Sequence, residues 1–161
     1  MKIGVLSDTH IPQAALRIPQ KIYNAFKGID LILHAGDLTE ISVLDELKRL
    51  AETHAVYGNM DEPDVRKILP DKKIIAVGKF TIGLIHGNGP PFNLISKVRK
   101  EFLQKVDVIV FGHSHSPVNE VREGILFFNP GSPTDKVFTK YNTYGLLTID
   151  DGIKGEIVEL K

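Results

Sequence analysis

The chain contains no cysteine, so disulfide bonds and cysteine-ligated zinc sites are excluded. An excess of one charge is also missing, because 20 lysines and arginines balance 20 aspartates and glutamates. This balance provides no general attraction to nucleic acid or to an anionic membrane. No apolar run approaches the roughly 20 residues that span a bilayer, and the apolar stretch at the N-terminus is too short for a signal peptide. We therefore expect a cytoplasmic protein with no membrane partner.

What the chain does contain is enough apolar sequence for a packed core. It has 161 residues, of which 42% are hydrophobic, a length and content typical of a globular domain. No linker, repeat or low-complexity stretch divides it. We expect a single domain covering residues 1–161.

The order of predicted elements indicates an α/β fold. Predicted strands and helices alternate through the first two thirds, with helices that begin at Pro19 and run over about Ser42–Ala51 and Phe92–Lys105. Ser42 and Asp45 resemble a capping box for the second helix. The last third is mostly strand, and three two-residue turns predict hairpins: Gly78–Lys79, Glu123–Gly124 and Asp151–Gly152. Early crossovers and late hairpins together predict two packed mixed β-sheets flanked by helices.

Side chains that bind metal ions follow five short apolar runs. Runs that are apolar throughout are typical of strands buried on both faces, and in open α/β sheets ligands collect beyond the carboxyl ends of such strands. The sequence therefore predicts one metal centre built from five strand ends, including one at Ala55–Tyr57. Its candidate ligands are Asp8, His10, Asp37, Asn59, His86, His113 and His115.

The spacing within these fragments suits a shared ion. Asp8 and His10 are two residues apart, as are His113 and His115, so in an extended chain both members of a pair point to one side. Asp37 follows a glycine, which lets the backbone turn close to an ion, and its two oxygens can bridge two cations. Each fragment is weak evidence alone, but an accidental agreement of five strand ends is improbable.

The order Asp-x-His, Gly-Asp, Gly-Asn-x-Asp, His and Gly-His-x-His resembles the calcineurin-like metallophosphoesterase superfamily. The short chain and the run Asn129–Ser132 resemble its small, minimal phosphodiesterase branch. The resemblance covers nearly the whole chain. It implies an α/β/β/α sandwich, in agreement with the two packed mixed β-sheets expected above.

The resemblance also implies two metal positions, one held by Asp8, His10 and His115 and the other by Asn59, His86 and His113, with Asp37 bridging them. Mixed imidazole and carboxylate ligands favour divalent transition metals, Mn or Ni first and Fe, Co or Zn next, over Mg or Ca. Two such ions lower the pKa of a shared water, so that a bridging hydroxide attacks phosphorus in an in-line displacement. We expect Asp37, Asn59 and His86 to contribute directly to this phosphodiesterase chemistry.

One position departs from the superfamily. A histidine usually follows the asparagine of Gly-Asn-x-Asp and assists the leaving group, but here the residue is Met60. Asp61 loses that partner and is expected either to support the site or to cap the next helix. His34 is expected behind the metal ligands, His54 at a strand edge, and Asn129 near the site.

Two loops, Ile11–Ile18 and Gly87–Asn93, are expected to shape the pocket for a small phosphoester substrate. A scaffold with this fold and little catalysis, like the retromer sorting subunit, stays an alternative, although a scaffold does not require seven intact ligands. A nuclease fits less well, because the chain has no basic groove and its one basic cluster predicts a solvated helix face. Nucleic acid is therefore not an expected partner. The oligomeric state, a homo-oligomer included, stays open.

Overall fold

A computed structural model describes residues 1–161, which form ten strands and four helices. The strands are β1 (Lys2–Leu6), β2 (Leu31–His34), β3 (Glu52–Ala55), β4 (Lys72–Val77), β5 (Phe80–Ile85), β6 (Val108–Val110), β7 (Val118–Arg122), β8 (Ile125–Asn129), β9 (Thr143–Ile149) and β10 (Ile153–Glu159). The helices are α1 (Gln20–Ala25), α2 (Ile41–Lys48), α3 (Pro63–Ile68) and α4 (Leu94–Lys100). None of these helices is long and apolar enough to cross a bilayer.

The strands form two five-stranded mixed sheets. The first has the order β10-β9-β1-β2-β3, with β1, β2 and β3 parallel and β9 antiparallel to β1. The second has the order β4-β5-β6-β8-β7, with β5, β6 and β8 parallel. Crossover connections join the parallel strands: α1 lies between β1 and β2, α2 between β2 and β3, and α4 between β5 and β6. The antiparallel pairs at the sheet edges, β4–β5, β7–β8 and β9–β10, are hairpins. The carboxyl ends of the parallel strands lead into the loops that carry the candidate ligands.

The two sheets pack face to face and are covered by helices outside. Ile3 and Val5 on β1 belong to the core between the sheets, together with Val108 and Val110 on β6. On the outer face of the first sheet, α1 and α2 form a second apolar cluster. On the outer face of the second sheet, α4 and the residues after it form a third. The predicted α/β/β/α arrangement is confirmed.

The predictions of individual strands and turns were accurate where the sequence has an apolar run or a two-residue turn. The three predicted hairpins all form, as β4–β5, β7–β8 and β9–β10. Ile22 on α1 and Phe26 just after it are buried beneath the first sheet, and β1, β2 and β6 are buried on both faces except at Lys2.

The predicted ends of helices and strands were less accurate. The predicted helix over Phe92–Lys105 is only seven residues long, because Asn93 has a left-handed φ of 58° and the helix ends before Glu101. The capping box at Ser42 and Asp45 is wrong, since α2 begins after Glu40 and the Ser42 hydroxyl donates to the Glu40 carboxylate. The strand predicted at Ala55–Tyr57 ends at Ala55, because the Tyr57 N–H leaves the sheet and donates to the Pro70 carbonyl.

Candidate metal centre

The loops after β1 and β2 run side by side and bring the first ligands together. The backbone N–H of Asp8 donates to the Gly36 carbonyl at 3.0 Å, and that of His10 to the Asp37 carbonyl at 3.0 Å. Asp8, His10 and Asp37 have left-handed φ angles of 54°, 43° and 56°. The strand-alternation argument for Asp8 and His10 is therefore wrong in its cause, because both residues lie beyond the strand in left-handed turns.

His113 and His115 also have left-handed backbone, with φ angles of 71° and 55°, in the loop after β6. The backbone N–H of His113 donates to Oδ2 of Asp8 at 3.0 Å. The loops from the two sheets are thus joined through the Asp8 carboxylate. Non-glycine residues with left-handed backbone are uncommon and cluster at functional sites, where surrounding contacts hold them in place.

One group of candidate ligands consists of Asp8, His10 and His115, whose ligand atoms all lie within 4.8 Å of one another. Nε2 of His10 and Nε2 of His115 are 3.2 Å apart, and Nε2 of His115 is 3.4 Å from Oδ1 of Asp8. Asp8 is fully buried and both histidines are mostly buried.

Asp135 sets the orientation of His115, and sequence reasoning missed it. Its Oδ2 lies 2.5 Å from Nδ1 of His115, so Nδ1 donates a hydrogen and Nε2, which faces Asp8, is the nitrogen available to a metal ion. The other oxygen of Asp135 accepts the backbone N–H groups of Val137 and Phe138. A carboxylate behind a histidine in this way fixes the tautomer that metal binding requires.

A second set of candidate ligands faces the first across Asp37. Oδ1 of Asn59 lies 3.2 Å from Nε2 of His86 and 2.9 Å from Nδ1 of His113, so three ligand atoms face one point. Carbonyl acceptors determine the tautomers, because His86 Nδ1 contacts the Ala35 carbonyl at 2.7 Å and His113 Nε2 contacts the Gly89 carbonyl at 2.6 Å. The nitrogens left with lone pairs are the ones that face Asn59.

Asp37 lies between the two groups. Its Oδ2 is 3.7 Å from Nε2 of His10 and 3.2 Å from Nε2 of His86. Asp8 also reaches both sides, since Asp8, Asp37 and His86 form a further group of potential ligands within 4.8 Å. Sequence reasoning gave the central position to Asp37 alone, and the structure adds Asp8 beside it.

Glycine makes room for the Asp37 carboxylate. A Cβ at position 58 would lie 2.2 Å from Oδ1 of Asp37, and one at position 36 would lie 2.7 Å from Nδ1 of His86. Gly36 also has a left-handed φ of 93°. Both glycines are thus required for the close approach of the loops.

Asp61 joins the second and third ligand loops. Its carboxylate accepts the backbone N–H groups of Asp37, Thr39 and Gly58 at 3.0, 2.6 and 2.7 Å. Burial raises the pKa of Asp61, although these hydrogen bonds favour its charged form. The expectation that Asp61 caps the next helix is wrong, since α3 begins after Glu62 and no side chain caps it.

Arg66 on α3 holds the same loop from outside. Its Nε donates to the Asp61 carbonyl at 2.9 Å and its Nη2 donates to the Asn59 carbonyl. Sequence reasoning missed both α3 and this contact. A polar run that begins with proline, Pro63-Asp64, was the available signal for the helix.

His34 and Asn129 brace the loops without belonging to either ligand group. His34 Nδ1 accepts the Gly36 N–H, and its Nε2 contacts the Thr9 hydroxyl at 3.1 Å. Burial lowers the pKa of His34 to about 3, so the ring is neutral. Asn129 donates to the Gly112 carbonyl at 2.9 Å, just before His113, and accepts the Gly131 N–H.

The segment after Asn129 is a sixth strand-end loop, of which sequence reasoning named the run Asn129–Ser132 but neither Thr134 nor Asp135. The Ser132 hydroxyl donates to the Asp8 carbonyl, and the Thr134 hydroxyl donates to the Thr9 carbonyl, both at 2.7 Å. Asp135 follows directly. The same strand-end argument, carried further past β8, would have found Thr134 and Asp135.

His54 lies away from the candidate ligands, whereas the loop Ile11–Ile18 begins directly after the candidate ligand His10. His54 sits on the edge strand β3 and contacts Glu52 and Lys73. Ile11 and Ile18 are buried in the apolar cluster under α1 and α2, and their loop lines neither cavity beside the ligands. The two cavities beside the candidate ligands are therefore shaped by other segments of the chain. Gly87–Asn93 does contribute to both cavities.

The buried carboxylates attract positive charge to this point. Burial alone lowers the pKa of His86, yet the hydrogen bond with Asp37 and the charges of Asp8 and Asp37 raise it to about 9. Burial also opposes a raised pKa for His115, but Asp8 and Asp135 raise it to about 9. Although burial disfavours their ionisation, contacts with these histidines keep the pKa values of Asp8 and Asp37 below their ordinary range.

This donor set fits divalent metal ions. Lone pairs from imidazole nitrogens, carboxylate oxygens and one amide oxygen converge, and no lysine or arginine forms an ion pair with Asp8 or Asp37. Facing nitrogens 3.2 Å apart, as in His10 and His115, can both be satisfied by a cation. Such a mixture of donors suits transition metals.

The profile of the calcineurin-like phosphoesterase superfamily domain matches residues 1–152 of the chain. The chain belongs to this superfamily. A "probable metallophosphoesterase" from Methanothermobacter thermautotrophicus is 38% identical over 159 residues, covering 98% of this chain and 92% of the relative. The sequence resemblance to metallophosphoesterases is thereby confirmed.

Solved structures of two kinds share this metallophosphoesterase fold. One is a novel archaeal phosphodiesterase, with a TM-score of 0.77 and 26% identity over 99% of this chain and 100% of that one. The other is Vps29 of Entamoeba histolytica in complex with zinc, with a TM-score of 0.76 and 28% identity over 99% of both chains.

Proposed function

We propose that this protein is a binuclear metal-dependent phosphodiesterase acting on small phosphodiesters. The observation that carries the proposal is the position of Asp37 between two sets of converging donor atoms. Asp8, His10 and His115 would hold one divalent ion, and Asn59, His86 and His113 the other. Asp37 Oδ2 lies within 3.7 Å of Nε2 of His10 and 3.2 Å of Nε2 of His86, as a bridging ligand requires.

The side chains have distinct tasks in this proposal. Metal binding would displace the proton from Nε2 of His86 and His115, while their Nδ1 hydrogens would stay donated to the Ala35 carbonyl and to Asp135. Asp8 and Asp37 supply the negative charge that holds two cations in a buried place. When bound, the ions supply a water of lowered pKa and the positive charge that attracts and polarises a phosphoryl group.

Mn or Ni is the favoured metal in this proposal, with Fe, Co or Zn acceptable. Four of the seven proposed ligands are imidazoles, which Mg and Ca do not prefer. Vps29 of Entamoeba histolytica, a relative of the same fold, has been solved in complex with zinc.

A second candidate is a protein-binding scaffold of the Vps29 kind with little catalysis. The observations that favour it are the likeness to Vps29 and the methionine at position 60. The convergence of all seven proposed ligands supports the enzyme instead, because a scaffold does not need them. A nuclease is the third candidate, and the balanced net charge counts against it.

The test is metal-dependent hydrolysis by stripped protein whose residual metal content has been measured. Bis(p-nitrophenyl) phosphate and p-nitrophenyl phosphate serve as diester and monoester, with Mn, Ni, Co, Zn or Mg restored in turn. We expect diester hydrolysis to return best with Mn or Ni. Full activity in the stripped protein, or no activity with any metal at full occupancy, would contradict the proposal.

Asp37→Asn is the matched inactive variant. Because Asp37 is proposed to contact both ions, diester turnover should fall by about 100-fold or more, together with metal content. Asp64→Asn is the control, since Asp64 is an exposed aspartate that pairs with Lys67 on the surface of α3. Two metals and normal turnover in the Asp37 variant would show that the bridging assignment is wrong.

A further inference from the structure

A cavity of about 780 Å³ opens directly beside the proposed metal ligands. His113 and His115 form part of its wall, so a group bound to metal at these histidines would extend into it. Six of the 14 lining residues are hydrophobic, and Leu94 and Phe111 among them are buried beneath its floor. The volume suits a small organic group.

Two exposed phenylalanines line this cavity, one just before α4 and one in the segment after Asp135. Phe92 is 68% exposed and Phe138 is 79% exposed. The ring of Phe138 packs edge-on against His115, with centroids 5.8 Å apart at an angle of 74°. Two large apolar rings in solvent beside a charged centre are available for an aromatic ligand.

Arg122 is the one lysine or arginine among the residues that line this cavity, and its charge is paired. Nε and Nη2 of Arg122 donate to both carboxylate oxygens of Glu120 at 2.7 and 3.1 Å. The cavity therefore offers apolar surface beside the histidines of the proposed metal centre, and the ammonium of Lys97 lies 5.9 Å from the centre of the Phe92 ring.

The opposite flank of the proposed metal centre is different. A cavity of about 300 Å³ beside Asn59 and His86 is lined by Arg66, Asp71, Lys97 and Glu101, and only three of its 12 residues are hydrophobic. The two sides of the centre thus differ in polarity, so the two ester groups of a phosphodiester would not be equivalent here.

We propose that the cavity lined by Phe92 and Phe138 binds a flat, uncharged aromatic ester group of the substrate. This proposal rests on the proposed function, since the phosphoryl group must be held at the metals for its ester group to reach the rings. The substrate class is then a phosphodiester with one aromatic group on the His113–His115 side and a polar group on the Asn59–His86 side.

The test measures binding of phenylphosphonate and methylphosphonate to the metal-loaded protein by calorimetry. The two ligands share the same anionic group and cannot be hydrolysed as esters, so their affinities isolate the contribution of the ring. We expect phenylphosphonate to bind about tenfold more tightly. Phe138→Ala and Phe92→Ala should reduce this preference to about twofold or less while leaving methylphosphonate affinity nearly unchanged.

Tyr141→Ala is the matched control, because Tyr141 is an exposed aromatic in the same segment as Phe138 but lines a different cavity. It should keep the full aryl preference. Phe138→Leu preserves an apolar wall without a ring and should lose most of that preference. Circular dichroism and metal content establish that each variant is folded and loaded.

Equal affinity for the two phosphonates in the wild type would overturn the proposal, whether or not phosphodiesters are hydrolysed. It would also point to a partner protein rather than a substrate as the occupant. An aryl preference that survives both phenylalanine variants would overturn it as well. The protein could also show an aryl preference that depends on Phe92 and Phe138 and yet hydrolyse no diester. That result would support the aromatic subsite and contradict the proposed phosphodiesterase function.

Discussion

Oδ2 of Asp135 lies 2.5 Å from Nδ1 of His115, while Oδ1 of the same carboxylate holds the backbone N–H groups of Val137 and Phe138. One side chain therefore orients a proposed metal ligand and folds the loop that carries a wall of the apolar cavity. The two tasks use different oxygens, so a substitution can separate them.

Asp135→Asn should weaken metal binding by about 10- to 100-fold at the position of Asp8, His10 and His115. If the amide oxygen keeps the contacts with Val137 and Phe138, the amide nitrogen faces Nδ1 of His115. That nitrogen donates, so the imidazole must move its hydrogen to Nε2, where it blocks metal binding. Metal titration monitored by calorimetry measures the affinity, and ¹⁵N chemical shifts of His115 report the tautomer.

Glu52→Ala is the control for this experiment, because Glu52 also contacts a histidine, His54, at 3.2 Å but on a distant edge strand. Its metal affinity should equal that of the wild type. An Asp135→Asn protein with unchanged tautomer and unchanged affinity would show that Asp135 serves only the loop.

Arg66→Lys should lower metal affinity at the Asn59, His86 and His113 position by about three- to tenfold. The guanidinium makes two hydrogen bonds, to the carbonyls of Asp61 and Asn59, and a lysine ammonium cannot reproduce that fork. Lys67→Ala is the matched control, since Lys67 is the next residue and pairs only with exposed Asp64. Equal metal affinity in both variants would contradict a positioning role for Arg66.

Most of the fold could be predicted because its signals are local. Apolar runs marked β1, β2 and β6, and two-residue turns marked all three hairpins. The element α3 was missed because only Val65 among its six residues is buried, which leaves no apolar stripe. Its position depends on Arg66 and on the loop that Asp61 organises, rather than on its own periodicity.

The candidate site was predictable as a list of side chains but not as a geometry. The seven candidate ligands were proposed from strand ends, and the structure brings them together. The reason they meet is not strand alternation but left-handed backbone at Asp8, His10, Asp37, His113 and His115. Such turns are held by distant groups: Asp61 is 24 residues from Asp37, and Asp135 is 20 residues from His115. No local pattern encodes contacts of that separation.

Gly58→Ala should destabilise the fold by about 1–3 kcal/mol and reduce metal content, since the new Cβ would lie 2.2 Å from Oδ1 of Asp37. Either the carboxylate or the backbone must then move away from the proposed bridging position. Gly152→Ala is the control, because no atom lies within 4 Å of its Cβ and its φ is not left-handed. That variant should stay within about 0.5 kcal/mol of wild type in urea unfolding. Equal metal content in the two alanine variants would mean that the Asp37 carboxylate tolerates displacement.

Met60→His tests how much catalytic rate is lost because methionine replaces the histidine that the superfamily usually has after the asparagine. Met60 is 59% exposed, and its link to the site is a backbone N–H that donates to Oδ1 of Asp37 at 2.7 Å. Because that bond involves no side-chain atom, the substitution should leave folding and metal content intact.

The catalytic gain of Met60→His should be limited. General acid assistance is typically worth about 10² to 10⁴ in rate. In this protein both oxygens of Asp61 already accept backbone N–H groups, so Asp61 is not free to orient a new imidazole. We expect about a tenfold gain for diesters with alkyl leaving groups, little gain for aryl ones, and a shallower dependence of rate on leaving-group pKa. The slope of that dependence, measured for fully metallated wild type and variant over one series of diesters, decides the question. An unchanged slope would mean that another group already protonates the leaving oxygen, or that its protonation does not limit the rate.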